Sequence, residues 1–301
     1  MVIMMEKETL EKYLKAGKIG QEAKELARKE LKPGLKVLDL AEKIEKFIND
    51  KGAGIAFPVN ISINDIAAHY TPDINDTITF KEGDLVKVDI GTHFDGFIGD
   101  TAFTVKLGEK SHPLIEASKD ALEQFIKEIR PGKTVGEMSK LIDEVVTSHG
   151  LNPIRNLAGH SVEQYIQHAG LSIPNGHIPS NEEIGEDQVL GMEVFTTDGE
   201  GSVKESSPTL IYMFLQPKPL RLDESRKILQ LILDQYKTLP FARRWLKNVG
   251  SPVRLHLALK EMVDREVLRE YPPLREKSFR PVAQTEETII VQDKPIITTR
   301  P

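Results

Sequence analysis

Val86-Lys87-Val88-Asp89-Ile90-Gly91 and Gly99-Asp100-Thr101-Ala102-Phe103-Thr104-Val105 decide how this chain folds. Both stretches alternate like strands. Asp95-Gly96, inside Phe94-Asp95-Gly96-Phe97, is a two-residue hairpin turn signal between them. A two-residue loop there predicts Asp89 opposite Ala102 and Asp100 opposite Gly91. The two carboxylates then share one face as diagonal neighbours, with Cα atoms roughly 7–8 Å apart. Like charges that close on an apolar hairpin need a cation or water between them.

Outward from the hairpin, the chain repeats itself. Lys32-Pro33-Gly34-Leu35-Lys36-Val37 is followed by a helical pattern and Gly52, and Arg130-Pro131-Gly132-Lys133-Thr134-Val135 by a helical pattern and Gly150. The offset holds at 98 residues (33 to 131, 37 to 135, 44 to 142, 52 to 150). Amphipathic helices are predicted over roughly 9–31 and 114–129 before the two turns, and over roughly 37–51 and 135–149 after them. His69 corresponds to His168, and the Asp89 strand to Val189-Leu190-Gly191-Met192-Glu193-Val194-Phe195. Each half therefore offers a histidine and then an acidic strand residue. A pseudo-twofold α/β (α+β) domain follows, with the strands of both halves meeting at a shared centre. Residues 217–281 break the repeat with helical patterns over Glu224–Tyr236 and Ser251–Arg269, before strand character returns in Gln284-Thr285-Glu286-Glu287-Thr288-Ile289-Ile290-Val291. They are expected to form a helical insertion subdomain, leaving 1–216 and 282–301 as the catalytic domain.

Composition narrows the function classes. The 301 residues are 39% hydrophobic, enough for a sizeable core, and carry a net charge of −6 with a pI near 5.8. That acidic balance gives no electrostatic footprint for nucleic acid. Met1 to Glu8 lacks a signal-peptide apolar run, and no 18-residue apolar stretch predicts a membrane span. Cysteine is absent, so disulfides, thiolate metal sites and cysteine nucleophiles are excluded. A cytoplasmic location is expected.

The residues able to carry chemistry are Asp89 and Asp100 on the hairpin, His160 at the end of Asn156-Leu157-Ala158-Gly159-His160, Glu193 inside an apolar strand, and Glu286 in the last strand. Any one of them alone is ordinary. Together, four carboxylates and one imidazole form an oxygen-rich donor set that suits two adjacent divalent ions of the Mn, Fe, Co or Zn type better than a structural zinc. Carboxylates can bridge two such ions about 3.5–4 Å apart.

This joint pattern resembles the pita-bread metallohydrolases, and most closely the type 2 methionine aminopeptidases in their archaeal form, from about residue 10 to 299. The motifs are Phe57-Pro58-Val59-Asn60-Ile61-Ser62-Ile63-Asn64 leading to Ala67-Ala68-His69-Tyr70-Thr71-Pro72, the Asp89–Asp100 pair, Asn156 to His160 followed by His168-Ala169-Gly170, Pro208-Thr209-Leu210-Ile211-Tyr212, and Thr238 to Trp245. The insertion is the mark of type 2. The resemblance implies a pita-bread fold and removal of the N-terminal methionine from peptides and nascent chains, with association with the ribosome left open. It implies that Asp89, Asp100, His160, Glu193 and Glu286 hold two metal ions, with Asp100 and Glu286 bridging and Glu193 also moving a proton. His69 and His168 would hydrogen-bond the substrate, and Phe57 and Tyr271 would line the methionine pocket.

The match breaks at the final ligand, where the family pattern Gln-Phe-Glu-His-Thr reads Gln284-Thr285-Glu286-Glu287-Thr288. Val194 stands where a proline usually follows the ligand glutamate. Strand alternation points Glu287 away from the metal face if Glu286 points toward it. Two other readings stay open. One is a prolidase or aminopeptidase P of the same fold. The other is a pita-bread binding protein with impaired catalysis.

Overall fold

The computed structural model describes residues 5–301; Met1 to Met4, part of the segment in which no leader is expected, lie outside the described residues. The first half runs α1 (Lys7–Glu30), α2 (Val37–Asp50), β1 (Gly54–Ile63), β2 (Ile66–Ala68), β3 (Leu85–Phe94) and β4 (Phe97–Lys106). The second runs α3 (Pro113–Glu128), α4 (Val135–Ser148), β5 (Asn152–Pro153), β6 (Ala158–Ser161), β7 (Ser172–Pro174) and β8 (Val189–Thr197).

The repeat is physical. Gly34 N–H donates to Phe80 O at 2.8 Å and Val37 N–H to Ile78 O at 2.9 Å. In the second half Gly132 N–H donates to Ile184 O at 2.9 Å and Val135 N–H to Glu182 O at 2.8 Å. Helix α2 buries Val37, Leu40, Ala41, Ile44 and Ile48, and α4 buries Val135, Met138, Ile142 and Val146. The three-and-four spacing puts each set on one helix face, and the two faces build separate cores, one for each half. The α4 start is fixed by a capping box between Thr134 and Glu137, a device that stabilises a helix by about 1 kcal/mol.

The main sheet is ordered β1-β3-β4-β14-β8-β6-β7, where β14 is the returning strand Val282–Ile290 and a short β15 (Ile296–Ile297) pairs with it. The β3–β4 hairpin has the register expected from its turn, with Asp89 opposite Ala102 and Gly91 opposite Asp100. Asp95 and Gly96 both take positive φ (51° and 87°), as a turn matching the strand twist requires. Helix α1 packs on β3 and β4, and α3 on β8 and β14, so the helices cover one face of the sheet. The approach of α1 is close. A Cβ on Gly99 would come within 2.8–2.9 Å of the Ala16–Gly17 backbone, and one on Gly17 within 2.3 Å of Thr298 O.

Between β8 and β14 the chain leaves the main sheet. It forms β9 (Val203–Glu205), β10 (Ile211–Phe214), α5 (Asp223–Leu231), a π turn over Ile232–Tyr236, β11 (Phe241–Ala242), a 3₁₀ turn over Arg243–Leu246, α6 (Pro252–Asp264), β12 (Leu268–Tyr271) and β13 (Leu274–Glu276). The helical reading of this segment is corrected in two places. The Glu224–Tyr236 pattern is α-helical only to Leu231. The segment also contributes strands, in a small sheet β11-β10-β12. Ile211-Tyr212-Met213-Phe214, just before the segment read as helical, pairs with Leu268–Tyr271, so the Ser251–Arg269 pattern is helical only to Asp264 and its last residues are strand. The segment has its own core, with Ile228, Phe241, Leu246, Leu259 and Met262 fully or nearly fully buried.

Candidate metal centre

Five neighbouring strands each carry one expected ligand: Asp89 on β3, Asp100 on β4, Glu286 on β14, Glu193 on β8 and His160 on β6. Residues directly opposite in an antiparallel pair share a face. One row across the sheet reads Asp89–Ala102–Glu286–Glu193. The next reads Gly91–Asp100, then Thr288–Gly191–His160. The donor atoms gather accordingly. Asp89, Glu193 and Glu286 place one ligand atom each within 4.8 Å of one another, and so do Asp100, His160 and Glu286. Glu286 belongs to both groups. Small residues keep the floor of the site open. A Cβ on Gly191 would stand 3.2 Å from His160 Cε1, 3.3 Å from Asp100 Oδ2 and 3.4 Å from Glu286 Oε1.

The electrostatics call for cations. Asp100 and Glu286 are each 1% exposed. Burial raises the Asp89 carboxyl to about 7. Burial, followed by repulsion from Asp89 and Glu193, holds Asp100 well above the carboxylate range. Glu193 is raised by burial and Asp89, and Glu286 by burial and then Asp100, Asp89 and Glu193. Burial pushes His160 down to about 3, so its imidazole is neutral and free to ligate. Asp89 Oδ1, Asp100 Oδ1 and His160 Nδ1 are buried without hydrogen-bond partners. Four clustered carboxylates, a neutral imidazole and unpartnered donor atoms fit hard or borderline divalent cations.

The residues expected to meet substrate lie near this cluster. His69 follows β2 with φ of +62°, a constrained conformation of the kind found at functional sites. Its Nδ1 lies 3.3 Å from Pro272 O. A carbonyl can only accept, so the proton sits on Nδ1 and Nε2 presents a lone pair. Burial, then His168, lowers His69 to about 4. The exposed His168 lies 4.4 Å from the His160 ring, and its own value is lowered by the surrounding protein and Arg269. Tyr271 stands between the two histidines, 5.4 Å from His69 edge-on and 6.2 Å from His168 in a stack. Phe57 is buried with its ring against Gly91, where a Cβ would meet it at 2.3 Å.

Two residues were not anticipated. The Gln284 amide Nε2 donates to Glu193 Oε2 at 3.0 Å, Asp89 Oδ2 at 3.3 Å and Glu286 Oε2 at 3.4 Å. Its signal was available, since a residue two before Glu286 shares its face. Asn175 has no such signal. It is wholly buried, donates to Glu193 O at 2.8 Å and accepts from Phe195 N at 2.6 Å, holding β8 at the ligand.

Comparison with known proteins gives the family. Residues 11–211 match the model of metallopeptidase family M24. The methionine aminopeptidase of Methanocaldococcus jannaschii is 45% identical over 298 residues, covering 98% of this chain and 100% of that protein. A solved structure of a thermophilic Arx1 superposes with a TM-score of 0.88 at 19% identity, over 99% of this chain and 92% of that one. The methionine aminopeptidase of Thermotoga maritima superposes with a TM-score of 0.73 at 23% identity, over the whole of both chains. At such identities these two structures speak for the pita-bread fold alone.

Proposed function

The chain belongs to metallopeptidase family M24 and is a metal-dependent aminopeptidase that removes N-terminal methionine, and from that premise we propose how its residues divide the reaction. The observation that carries the proposal is the pair of donor groups that share Glu286. Asp89, Glu193 and Glu286 would hold one divalent ion and Asp100, His160 and Glu286 a second, with Asp100 reaching across as the other bridge. Such a pair would acidify a water toward neutral pH and polarise the scissile carbonyl. Mn, Co, Fe and Zn all suit the donor set.

Glu193 stands at the end of its row opposite Glu286, and would take a proton from the nucleophile and pass it to the leaving amine. His69 and His168 take opposite parts. With its Nδ1 proton held by Pro272 O, His69 accepts a hydrogen bond from a substrate N–H. His168, on the open side, donates to the developing oxyanion. Tyr271 and Phe57 form apolar walls for an unbranched side chain. The substrate's free α-amine is selected by the surrounding carboxylates, which makes peptide and nascent-chain amino termini the partners.

Residues 217–281 are proposed as an insertion subdomain on a catalytic domain of 1–216 and 282–301. Among the described residues no helix is long and apolar enough to cross a membrane, and a cytoplasmic location is proposed.

The deciding experiment is release of free methionine from Met-Ala and Met-Gly tripeptides by protein loaded with Mn or Co, with N-acetylated peptide refused. Equal turnover of Xaa-Pro dipeptides would favour a prolidase-like activity instead. Loaded protein that cleaves neither substrate would favour the binding-protein reading. His168→Ala should lower kcat about 10²–10³-fold with metal content unchanged.

A further inference from the structure

The ligands Asp100 and Glu286 lie on β4 and β14, where the two halves of the molecule meet. The register of β3–β4 runs unbroken from Leu85–Lys106 to Phe94–Phe97, and that of β14–β8 from Val282–Thr197 to Ile290–Val189. Between β4 and β14 the regular ladder is reduced to one pair, Glu286 opposite Ala102. On either side of that pair a threonine hydroxyl replaces the backbone rungs. Thr288 Oγ1 accepts from Asp100 N at 2.7 Å and donates to Asp100 O at 2.7 Å. Thr104 Oγ1 accepts from Gln284 N at 2.8 Å and donates to Gln284 O at 2.7 Å.

The arrangement is reciprocal. Asp100 and Thr104 on β4 face Thr288 and Gln284 on β14, four residues apart on each strand. Both threonines are buried, Thr288 completely. A backbone rung joins N–H to O at about 2.9 Å. A hydroxyl placed between the same groups adds a second bond and holds the strands further apart. The freed Thr288 N–H is not left unpaired, because it donates to Thr299 Oγ1 at 3.0 Å.

We propose that Thr288 and Thr104 are positioning residues whose hydroxyls set the separation of β4 and β14, and with it the spacing of Asp100 and Glu286. This rests on the dinuclear reading above, in which those two carboxylates bridge. A full ladder would draw the bridges together. An unpinned seam would let them drift, and the second ion would lose its site first.

Thr288→Val keeps the shape and removes the hydroxyl. It should weaken binding of the second Mn ion about 10–100-fold by calorimetric titration. It should also abolish or strongly alter the exchange-coupled dimanganese signal in electron paramagnetic resonance. Thr288→Ser should restore both. Should Thr288→Val fail to fold, Thr104→Val, which unpins Gln284 on the other side, takes its place with the same expected change. A folded valine variant with lowered Tm but wild-type second-ion affinity and coupling would overturn the proposal and leave the hydroxyls a structural role. Wild-type protein that takes up one ion at most would instead overturn the dinuclear reading, and the proposal with it.

Discussion

Glu286 and Glu287 are neighbours on one strand, both buried, and their surroundings are opposite. Glu286 faces Asp89, Asp100 and Glu193, with the Gln284 amide its nearest donor. Glu287, on the helix side, receives Lys24 Nζ at 3.0 Å on both oxygens, Arg300 Nε at 3.2 Å, Thr101 Oγ1 at 3.1 Å and Thr299 Oγ1 at 2.6 Å. Burial is common to both; only the rear carboxylate has cations from the chain. The front cluster is therefore built to take its positive charge from outside. The largest expected effect tests that. Glu286→Gln should remove a bridge shared by both ligand groups and take methionine release to background, with bound metal falling below two ions in elemental analysis. Retention of both ions and of activity would erase the distinction between the two faces.

Breaking the rear pair should act on stability instead. The Glu287 charge stands beside a carboxylate-rich centre, but it is matched by Lys24, itself 7% exposed. Removing one partner of a buried pair leaves the other uncompensated, at a cost of about 3–5 kcal/mol. Chemical denaturation should show that loss in Glu287→His. Adding Lys24→Met should recover part of it, and an unchanged midpoint in the single variant would refute the pairing.

The two faces also differ in how they answer to pH. Asp89, held near 7 by burial, binds its proton more tightly in the folded state than in the unfolded chain. The stability that Asp89 contributes to the metal-free protein should therefore be fully present below about pH 4, where both states are protonated, and be lost as pH rises toward 7, by at most about 1.4 kcal/mol per pH unit. Thermal melts of metal-free wild type and Asp89→Asn from about pH 4 to 8 isolate that contribution: the wild type should lose stability relative to the variant as pH rises, and added Mn should offset the loss in the wild type. A difference between the two that does not change over this range would mean that Asp89 already has a partner.

Much of this was legible in the sequence wherever the signal is local. The helices expected over 37–51 and 135–149 run 37–50 and 135–148, because three-and-four apolar spacing and the following glycines mark them. The Asp95-Gly96 turn fixed the hairpin register, and alternation put Glu286 and Glu287 on opposite faces. What escaped depends on distance along the chain. Lys24 and Glu287 are 263 residues apart, and neither residue type announces the other. The Thr104–Gln284 and Thr288–Asp100 bonds span 180 and 188 residues. The β10–β12 pairing joins short segments whose strand character exists only once they meet.

The smallest expected effect separates rear from front most finely. Thr299 Oγ1 donates to Glu287 Oε2 and accepts from Thr288 N, so it touches the rear carboxylate and the seam at once. In Thr299→Val, Glu287 keeps Lys24, Arg300 and Thr101, and its charge stays matched. Thr288 N–H loses its acceptor, which costs about 1–3 kcal/mol for a buried group. The Thr288 hydroxyl keeps both bonds to Asp100, so the bridging carboxylates should not move. The expected outcome is a lower denaturation midpoint together with a wild-type dimanganese signal and second-ion affinity. If Thr299→Val instead loses the second ion, the rear network reaches the metals through Thr288 N–H, and the two faces of this strand act as one unit.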